Sequence, residues 1–398
     1  MNSYFRHKAR WRQSILFALL DAAAWAWDNA ISLAKKWKVF PLLVLLAISS
    51  VFIIARFQPI PPPQIHNRDF YCYTDLAKSL RHFQYETHNR FTKNCGGTIF
   101  GPGYPLAVAL FPTRITPTNS AKVAALAFLA SIALIYLLGL RRNSTSAIIS
   151  GASWTLYGIA FPAITIEPWS ESIFLCYVLA ALLSRSAYAN GFWNGLAILT
   201  RPEGYLLLPM TLLFRKGLKA KIILLVVAFV TISPYLFWLH SETDKWSLIS
   251  PGKAINKKIA PYVLAGIDLG KLGKPLPQFQ MMKLQKYRHL SARIEINLGI
   301  AAAHLSRGWF ILLPAILGLL SAIKNRQWPK EFIILAPLGL AWLPFFGLPR
   351  FLASLFCALC LLASSMSLPV RQFHLRLLAL PPRLLAALRK PSTLGEKS

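Results

Sequence analysis

The chain has 398 residues, 55% of them hydrophobic and 15% charged, with a formal net charge of +30. A soluble enzyme of this length could bury a large core, but it would not carry so many long apolar runs. The charge alone would suit a phosphate backbone. However, no helix-turn-helix, zinc-finger or RNP pattern is present, and the Lys and Arg residues sit mostly beside the apolar runs, so nucleic acid is not expected as a partner.

Residues 1–38 form a basic segment containing Arg6, Lys8, Arg10, Arg12, Lys35, Lys36 and Lys38. Its apolar part, Gln13 to Ala34, is interrupted by Asp21 and Asp28. A charge near mid-bilayer costs about 3 kcal/mol, so this part reads as an amphipathic helix lying in the interface. A true span there would invert all that follows.

Val39–Phe57 is the first run suited to crossing a bilayer, which takes about 20 residues. It lacks a small-residue cleavage site and reads as a signal anchor. Further runs are Asn119–Leu140, Thr145–Ile164, Trp169–Tyr188, Ala220–Leu239, Gly308–Ile323 and Phe351–Leu368.

With the N-terminus inside, residues 58–118 form an external loop that opens with the stiff Pro59–Pro63 stretch. Arg141, Arg142, Arg185, Arg215, Lys216, Lys219 and Lys221 belong on the cytoplasmic side. Gly191–Phe214 must then enter and return as two half-helices, with Arg201-Pro202-Glu203-Gly204 at the outer turn. Pro and Gly suit such a break. A second external loop covers 240–307, Lys324 and Arg326 return inside, Pro349-Arg350 lies outside, and the basic tail 369–398 is cytoplasmic. The expected fold is all-α and polytopic, with about ten spans. One transmembrane domain covers 39–368, with no internal repeat and no separate soluble domain.

Cys176, Cys357 and Cys360 lie in apolar runs, where Cys357-x-x-Cys360 reads as packing. Cys72 and Cys95 share the first loop. They form a disulfide if it faces an oxidising compartment, or remain two thiols.

The same loop carries the strongest chemical signal. Asp69, Tyr73, Leu76, Ala77 and Leu80 share one helical face, with Asp69 in the first turn and Asp75 pointing elsewhere. Asp69 either caps the helix or stands at the edge of a site. A carboxylate near hydrocarbon is by default a functional hypothesis, which draws attention to Glu171 and Glu203. Either could pair with Arg201 or hydrogen-bond a substrate. Arg201 and Arg350 would lie at the outer membrane edge, as phosphate contacts or as interfacial anchors. His66, three residues before Asp69, is too common a pairing to indicate a metal. No cofactor is called for, and a divalent metal is left open. The Lys-rich second loop (Lys253, Lys257, Lys258, Lys271, Lys274) either attracts an anionic substrate or is a solvated face.

Asp69-x-x-x-Tyr73-x-x-Leu76-Ala77-x-x-Leu80, followed by Gly101-Pro102-Gly103-Tyr104-Pro105-Leu106, resembles the first external loop of GT-C glycosyltransferases. Ser170-Glu171-Ser172-Ile173-Phe174 resembles a segment of the PIG-V mannosyltransferase branch. Leu199-Thr200-Arg201-Pro202-Glu203-Gly204 and Pro349-Arg350-Phe351 resemble segments of bacterial members, and the protein O-mannosyltransferase and aminoarabinose transferase group is similar too. The resemblance implies an integral, multi-pass protein of a bacterial plasma membrane, with its site facing outward. It implies inverting transfer of a sugar, mannose by the PIG-V likeness, from a polyprenyl-phosphate donor to a lipid, glycan or protein acceptor. Asp69 would be the general base, and Tyr73, Tyr104, Glu171, Arg201, Glu203 and Arg350 would bind substrate. The rival readings are a GT-C-like oligosaccharide polymerase or ligase, and a flippase for lipid-linked sugar, whose broken helices and buried charges would look similar.

Overall fold

The computed structural model describes residues 38–57, 68–82, 84–85, 101–168, 170–244, 246, 278, 281–282, 285–286, 289–307, 309–325, 328–340 and 353–363. The expected interfacial helix at 13–34, the Pro59–Pro63 stretch, Cys95, the lysines of the second loop, Pro349-Arg350 and the tail lie outside the described residues. The elements in chain order are α1 (Phe40–Arg56), α2 (Arg68–Leu80), α3 (Gly103–Leu110), α4 (Pro117–Leu140), α5 (Ser144–Ala160), α6 (Ala163–Ile166) and α7 (Ser170–Leu183). They continue with α8 (Ala187–Thr200), α9 (Gly204–Phe214), α10 (Leu218–Thr243), α11 (Leu290–Arg307), α12 (Trp309–Asn325), α13 (Lys330–Leu340) and α14 (Ala353–Ala363).

Each expected apolar run falls on at least one of these helices. By length and composition, Pro117–Leu140 and Leu218–Glu242 are long and apolar enough to cross a membrane. The others are shorter than the runs suggested, for local reasons. Pro162 disfavours helix at Phe161, so α5 stops at Ala160 rather than Ile164. Ser186 is extended (φ −70°, ψ 139°), so the run expected to continue from Trp169 to Tyr188 is divided between α7 and α8.

Local chemistry also sets the helix starts. The Thr116 side chain accepts from the Asn119 N–H at 3.1 Å and Pro117 follows at the first turn, opening α4. Asn143 accepts from the Ser146 N–H at 2.7 Å and opens α5.

The core joins α4, α5, α7, α9, α13 and α14 through Phe128, Ile132, Trp154, Tyr157, Phe174, Leu207, Leu335 and Phe356. Trp154 Nε1 donates to Ser131 Oγ at 2.8 Å, so this buried polar pair is satisfied where water is absent. On the outside, α1 exposes Leu43, Val51 and Ile54, and α10 exposes Ile222, Val226, Phe229, Val230 and Phe237. Apolar surface of that extent is foreign to a soluble monomer and is matched by lipid tails. The molecule is a helical membrane protein.

Helices α8 and α9 fold back on each other. Asn194 Oδ1 accepts from the Thr211 hydroxyl at 3.2 Å, and Arg185 and Arg215, at the two ends of the pair, line one cavity. At about 1.5 Å per residue, helices of 14 and 11 residues span only about 21 and 16 Å, so neither crosses a hydrocarbon core of about 30 Å. The hairpin begins at Ala187, one turn before the expected Gly191. Its contact with α10 is close because Gly191 and Gly195 face it. A Cβ at Gly191 would lie 2.5 Å from the Leu224 carbonyl oxygen, and one at Gly195 the same distance from Thr231 Cβ.

At the end of the bundle where α4 and α7 terminate, Arg141 donates to the Leu182 carbonyl at 3.0 Å and to that of Leu183. Arg142 pairs with Glu331 at 2.9 Å and donates to the Leu361 carbonyl at 3.2 Å. Arginines thus cap the open carbonyl ends of α7 and α14.

The hairpin geometry makes a direct prediction. Ser186→Cys and Lys216→Cys should respond alike to a membrane-impermeant thiol reagent in intact cells, and Ser241→Cys, at the far end of α10, should respond oppositely. Opposite responses at 186 and 216 would mean that the segment crosses once.

Candidate active site

The turn between α8 and α9 carries Arg201 and Glu203, and α7 begins beside it with Ser170 and Glu171. All four side chains are buried; Arg201 is only 6% exposed and Glu171 3%. One guanidinium nitrogen of Arg201, Nη1, lies 2.8 Å from Glu171 Oε1 and donates to Ser170 Oγ at 3.1 Å. The other edge, Nε and Nη2, meets Glu203 Oε1 at 3.0 Å for each nitrogen. Arginine suits this place because its planar fork can serve two carboxylates at once. The pairing alternative for Glu171 and Glu203 is therefore realised. Two carboxylates against one guanidinium leave a formal surplus of one negative charge in a low-dielectric pocket.

Helix α2 reaches the same point. The Tyr73 hydroxyl donates to Ser170 Oγ at 3.4 Å, and its ring packs edge-on against Tyr104, with centroids 4.9 Å apart at 82°. Tyr104 is fully buried and donates its hydroxyl to the Ser120 carbonyl at 2.8 Å. Burial, then the neighbouring Tyr73 and Glu171, hold the Tyr104 phenol well above its ordinary pKa, so it remains a donor.

Tyr73, Leu76 and Ala77 are buried as the spacing predicted, whereas Leu80 is half-buried. Phe70, Cys72, Thr74 and Ser79 are buried too, because α2 packs on α3 and α4 together. Arg81 extends this docking, donating to the carbonyls of Ala109 at 3.0 Å, Phe111 at 2.6 Å and Thr113 at 2.8 Å. Asp69 is the second residue of α2, one turn before Tyr73; its side chain lies outside the described residues. Asp75 is half-buried. Cys72 is disulfide-bonded, which resolves one of the two readings of this thiol.

The glycines of Gly101-Pro102-Gly103 explain how α3 comes this close. A Cβ on Gly101 would lie 2.1 Å from the Leu199 carbonyl oxygen, and one on Gly103 would lie 2.1 Å from Thr200 Oγ1 and 2.7 Å from its nitrogen. Only a residue without a side chain lets the backbone before Tyr104 rest on the backbone before Arg201. These glycines were visible in the motif, but their partner strip was not. Ser120 carried no recognisable signal, and Ser170 stood in the quoted Ser170–Phe174 segment without a role of its own.

Beside the site an apolar groove of about 610 Å³ opens between α3, α7, α8 and α10, lined by Leu106, Leu110, Phe192, Leu196, Leu199 and Val230 among others. Its Leu199 is two residues from Arg201. Arg350 lies outside the described residues. Among the described residues, no group of three or more His, Cys, Asp or Glu side chains is placed to hold a metal ion.

No protein-family model and no curated protein sequence matches the chain. Among solved structures, the crystal structure of the Archaeoglobus fulgidus oligosaccharyltransferase, in complex with zinc and sulfate, is similar, with a TM-score of 0.52 at 15% identity. The alignment covers 88% of this chain and 51% of that one, so the chain spans about half the length of the structure it matches. At this identity the likeness is one of fold: over the matched part, the chain shares the helical architecture of that membrane protein.

Removing one partner of a buried charge group strands the others, at a cost of about 3–5 kcal/mol. Arg201→Ala should therefore lower the melting temperature of the purified protein far more than Arg201→Lys, which keeps the charge. An Arg201→Ala variant that melts like the parent would show that the two glutamates do not depend on it. Gly103→Ala should also destabilise, since behind the Thr200 hydroxyl it meets the Thr200 nitrogen at 2.7 Å and Cα at 2.8 Å, which are backbone and cannot rotate away.

Proposed function

We propose that this protein is an inverting membrane glycosyltransferase that moves a sugar from a polyprenyl-phosphate donor to a hydroxyl of a lipid, glycan or protein acceptor. Mannose is the sugar favoured by the likeness of Ser170–Phe174 to the PIG-V branch. The observation that carries this reading is convergence. The Tyr73 helix, the Gly101–Tyr104 segment, the Ser170-Glu171 start of α7 and the Arg201–Gly204 turn meet at one point within a GT-C fold. Segments separated by so much chain have no local reason to share a site.

The chemistry follows from charge. The acceptor oxygen forms a bond to the anomeric carbon while the bond from that carbon to the phosphate oxygen breaks, and the electron pair leaves on the lipid phosphate. The acceptor proton needs a base on the face opposite the leaving group. Asp69, at the start of α2, is the proposed base. Glu171 and Glu203, held by Arg201, are proposed to orient sugar hydroxyls and to favour the positive charge that develops on the sugar. Because the donors of Arg201 face two carboxylates and Ser170, the proposed phosphate contact passes chiefly to Arg350. The apolar groove ending at Leu199 suits the isoprenoid tail.

Orientation is proposed on the charge asymmetry of the bundle. Arg141, Arg142, Arg185, Arg215 and Lys330 mark the end away from the site, so the site faces outward under the positive-inside rule. The opposite end of α10 carries Tyr235 and Trp238 against Tyr85, with centroids 6.1 and 5.1 Å away, as an interfacial aromatic belt would. A disulfide at Cys72 fits an oxidising outer compartment, and Cys95 is proposed as its partner.

A second reading has its own support. The oligosaccharyltransferase likeness favours an oligosaccharide on a lipid diphosphate as donor. One assay separates the readings: purified protein incubated with labelled polyprenyl-phosphate sugar or with polyprenyl-diphosphate oligosaccharide. Transfer only from the second would replace the first reading. Transfer from neither, with movement of the lipid across vesicles, would identify a flippase.

Asp69→Asn keeps the side chain's shape and most of its capping ability, so it should insert and fold but lose transfer by about 10²-fold or more. Asp75→Asn should retain most activity at equal abundance and stability. Near-parental turnover by Asp69→Asn would remove it as the base. Mass spectrometry after alkylation without reductant should find Cys72 and Cys95 joined and Cys176, Cys357 and Cys360 modifiable once unfolded. Free Cys95 would exclude the pairing.

A further inference from the structure

At the end of the bundle away from the candidate active site, a cavity of about 280 Å³ is lined by Arg141, Arg185, Arg215 and Lys330, with Asn190 and Thr211 beside them. These residues come from the end of α4, the α7–α8 connection, α8, the end of α9 and the start of α13. A solvated basic face would spread such charges apart, whereas here four regions of chain each turn one cation onto a single concavity.

None of the ion pairs among the described residues includes any of the four. The nearby carboxylate, Glu331, is engaged by Arg142 at 2.9 Å. Two of Arg141's donors serve the carbonyls of Leu182 and Leu183, which leaves the guanidinium anchored rather than free to swing into solvent. Asn190, held by the Ala181 carbonyl at 3.1 Å, and the Thr211 hydroxyl add polar groups to the wall.

We propose that this cavity binds the phosphoryl group of an anionic phospholipid from the leaflet on that side. Its opening lies at the helix ends, where headgroups reside, and Phe214 on its rim can lie along an acyl chain. Phosphate oxygens would accept from the arginine forks and from Lys330, and would relieve the crowding of the cations. Burial, and next the neighbouring Arg185, hold the Arg141 guanidinium below its ordinary value, against the attraction of Glu331.

The cavity also has a mechanical meaning. Asn190 and Arg215 stand at the base of the α8–α9 hairpin, and Arg201 stands at its tip. A bound phosphoryl group ties both legs of the hairpin to α4 and α13. The binding itself is independent of the transfer chemistry proposed above.

The test uses the full chain purified in neutral detergent. Phosphatidylglycerol is titrated against phosphatidylcholine, with inorganic phosphate as a separate arm, and the readouts are native mass spectrometry and thermal melting. The parent protein should retain one saturable phosphatidylglycerol and melt at a higher temperature with it, whereas phosphatidylcholine should do neither. Arg185→Gln combined with Arg215→Gln should weaken phosphatidylglycerol binding by about tenfold or more. Lys219→Gln combined with Lys221→Gln, which removes equal charge outside the cavity, should leave it unchanged. Equal loss in both double variants, or no saturable lipid on the parent, would overturn the proposal in favour of diffuse attraction. Equal stabilisation by inorganic phosphate would also overturn the lipid assignment, since the headgroup would then add nothing. If the first double variant does not fold, the parent titration alone still decides between one saturable lipid and none.

Discussion

A guanidinium buried between two carboxylates is the interaction on which the rest of the molecule turns. Arg201 cannot sit in a low-dielectric interior without partners, and neither can Glu171 or Glu203. Satisfying all three requires the start of α7 and the turn of the α8–α9 hairpin to meet at one position. Ser170 joins the cluster through the same guanidinium and also takes the hydroxyl of Tyr73, so α2 is bound to the position as well. The glycines before Tyr104 let α3 close over it. A charge group that would be a liability in an apolar core becomes the point that registers four separate segments.

This arrangement also divides the labour of the proposed reaction. Glycosyl transfer from a lipid phosphate already has a good leaving group, so the protein must position the acceptor, take a proton and manage charge of both signs. A cluster with surplus negative charge suits the sugar side of the breaking bond and not the phosphate side. The cation for the phosphate must then come from elsewhere, which is why Arg350 carries that proposed role and Arg201 becomes an organiser. The groove that includes Leu199 is lined by apolar side chains apart from Tyr177 and Thr231, which suits an isoprenoid.

The hairpin connects the two ends of the bundle. Its legs are too short to cross a bilayer, so its tip is held within the protein and its base opens toward one surface. The α10 contact at Gly191 and Gly195 is tight, and the Asn194–Thr211 hydrogen bond links the legs midway. Backbone at such a turn must find partners at membrane depth, and here the N–H groups of Gly204, Tyr205 and Leu206 donate to the carbonyls of Arg201, Pro202 and Glu203 at 3.0, 3.0 and 2.9 Å.

Much of the architecture was legible in the chain itself. Apolar runs flanked by arginine and lysine marked the helices of the bundle, because lipid selects composition directly. The break at Arg201–Gly204 was legible because Pro and Gly interrupt a helix locally, and basic residues on both sides demanded a return. The stripe Tyr73, Leu76, Ala77 marked the buried face of α2 by period alone. Motif likeness brought Glu171, Arg201 and Glu203 under suspicion without saying which would touch which. Their pairing depends on distances between segments far apart in sequence, and only tertiary packing sets those. The same holds for Ser120 and Ser170, common residues whose importance comes from what is folded against them. It holds for the glycines too, since a need for closeness is invisible until the opposing backbone is in place. Arg141, Arg185 and Arg215 could be read one by one as marks of sidedness, whereas Lys330 gave no such sign. That they share one cavity was decided by the packing of α4, α8, α9 and α13 around it.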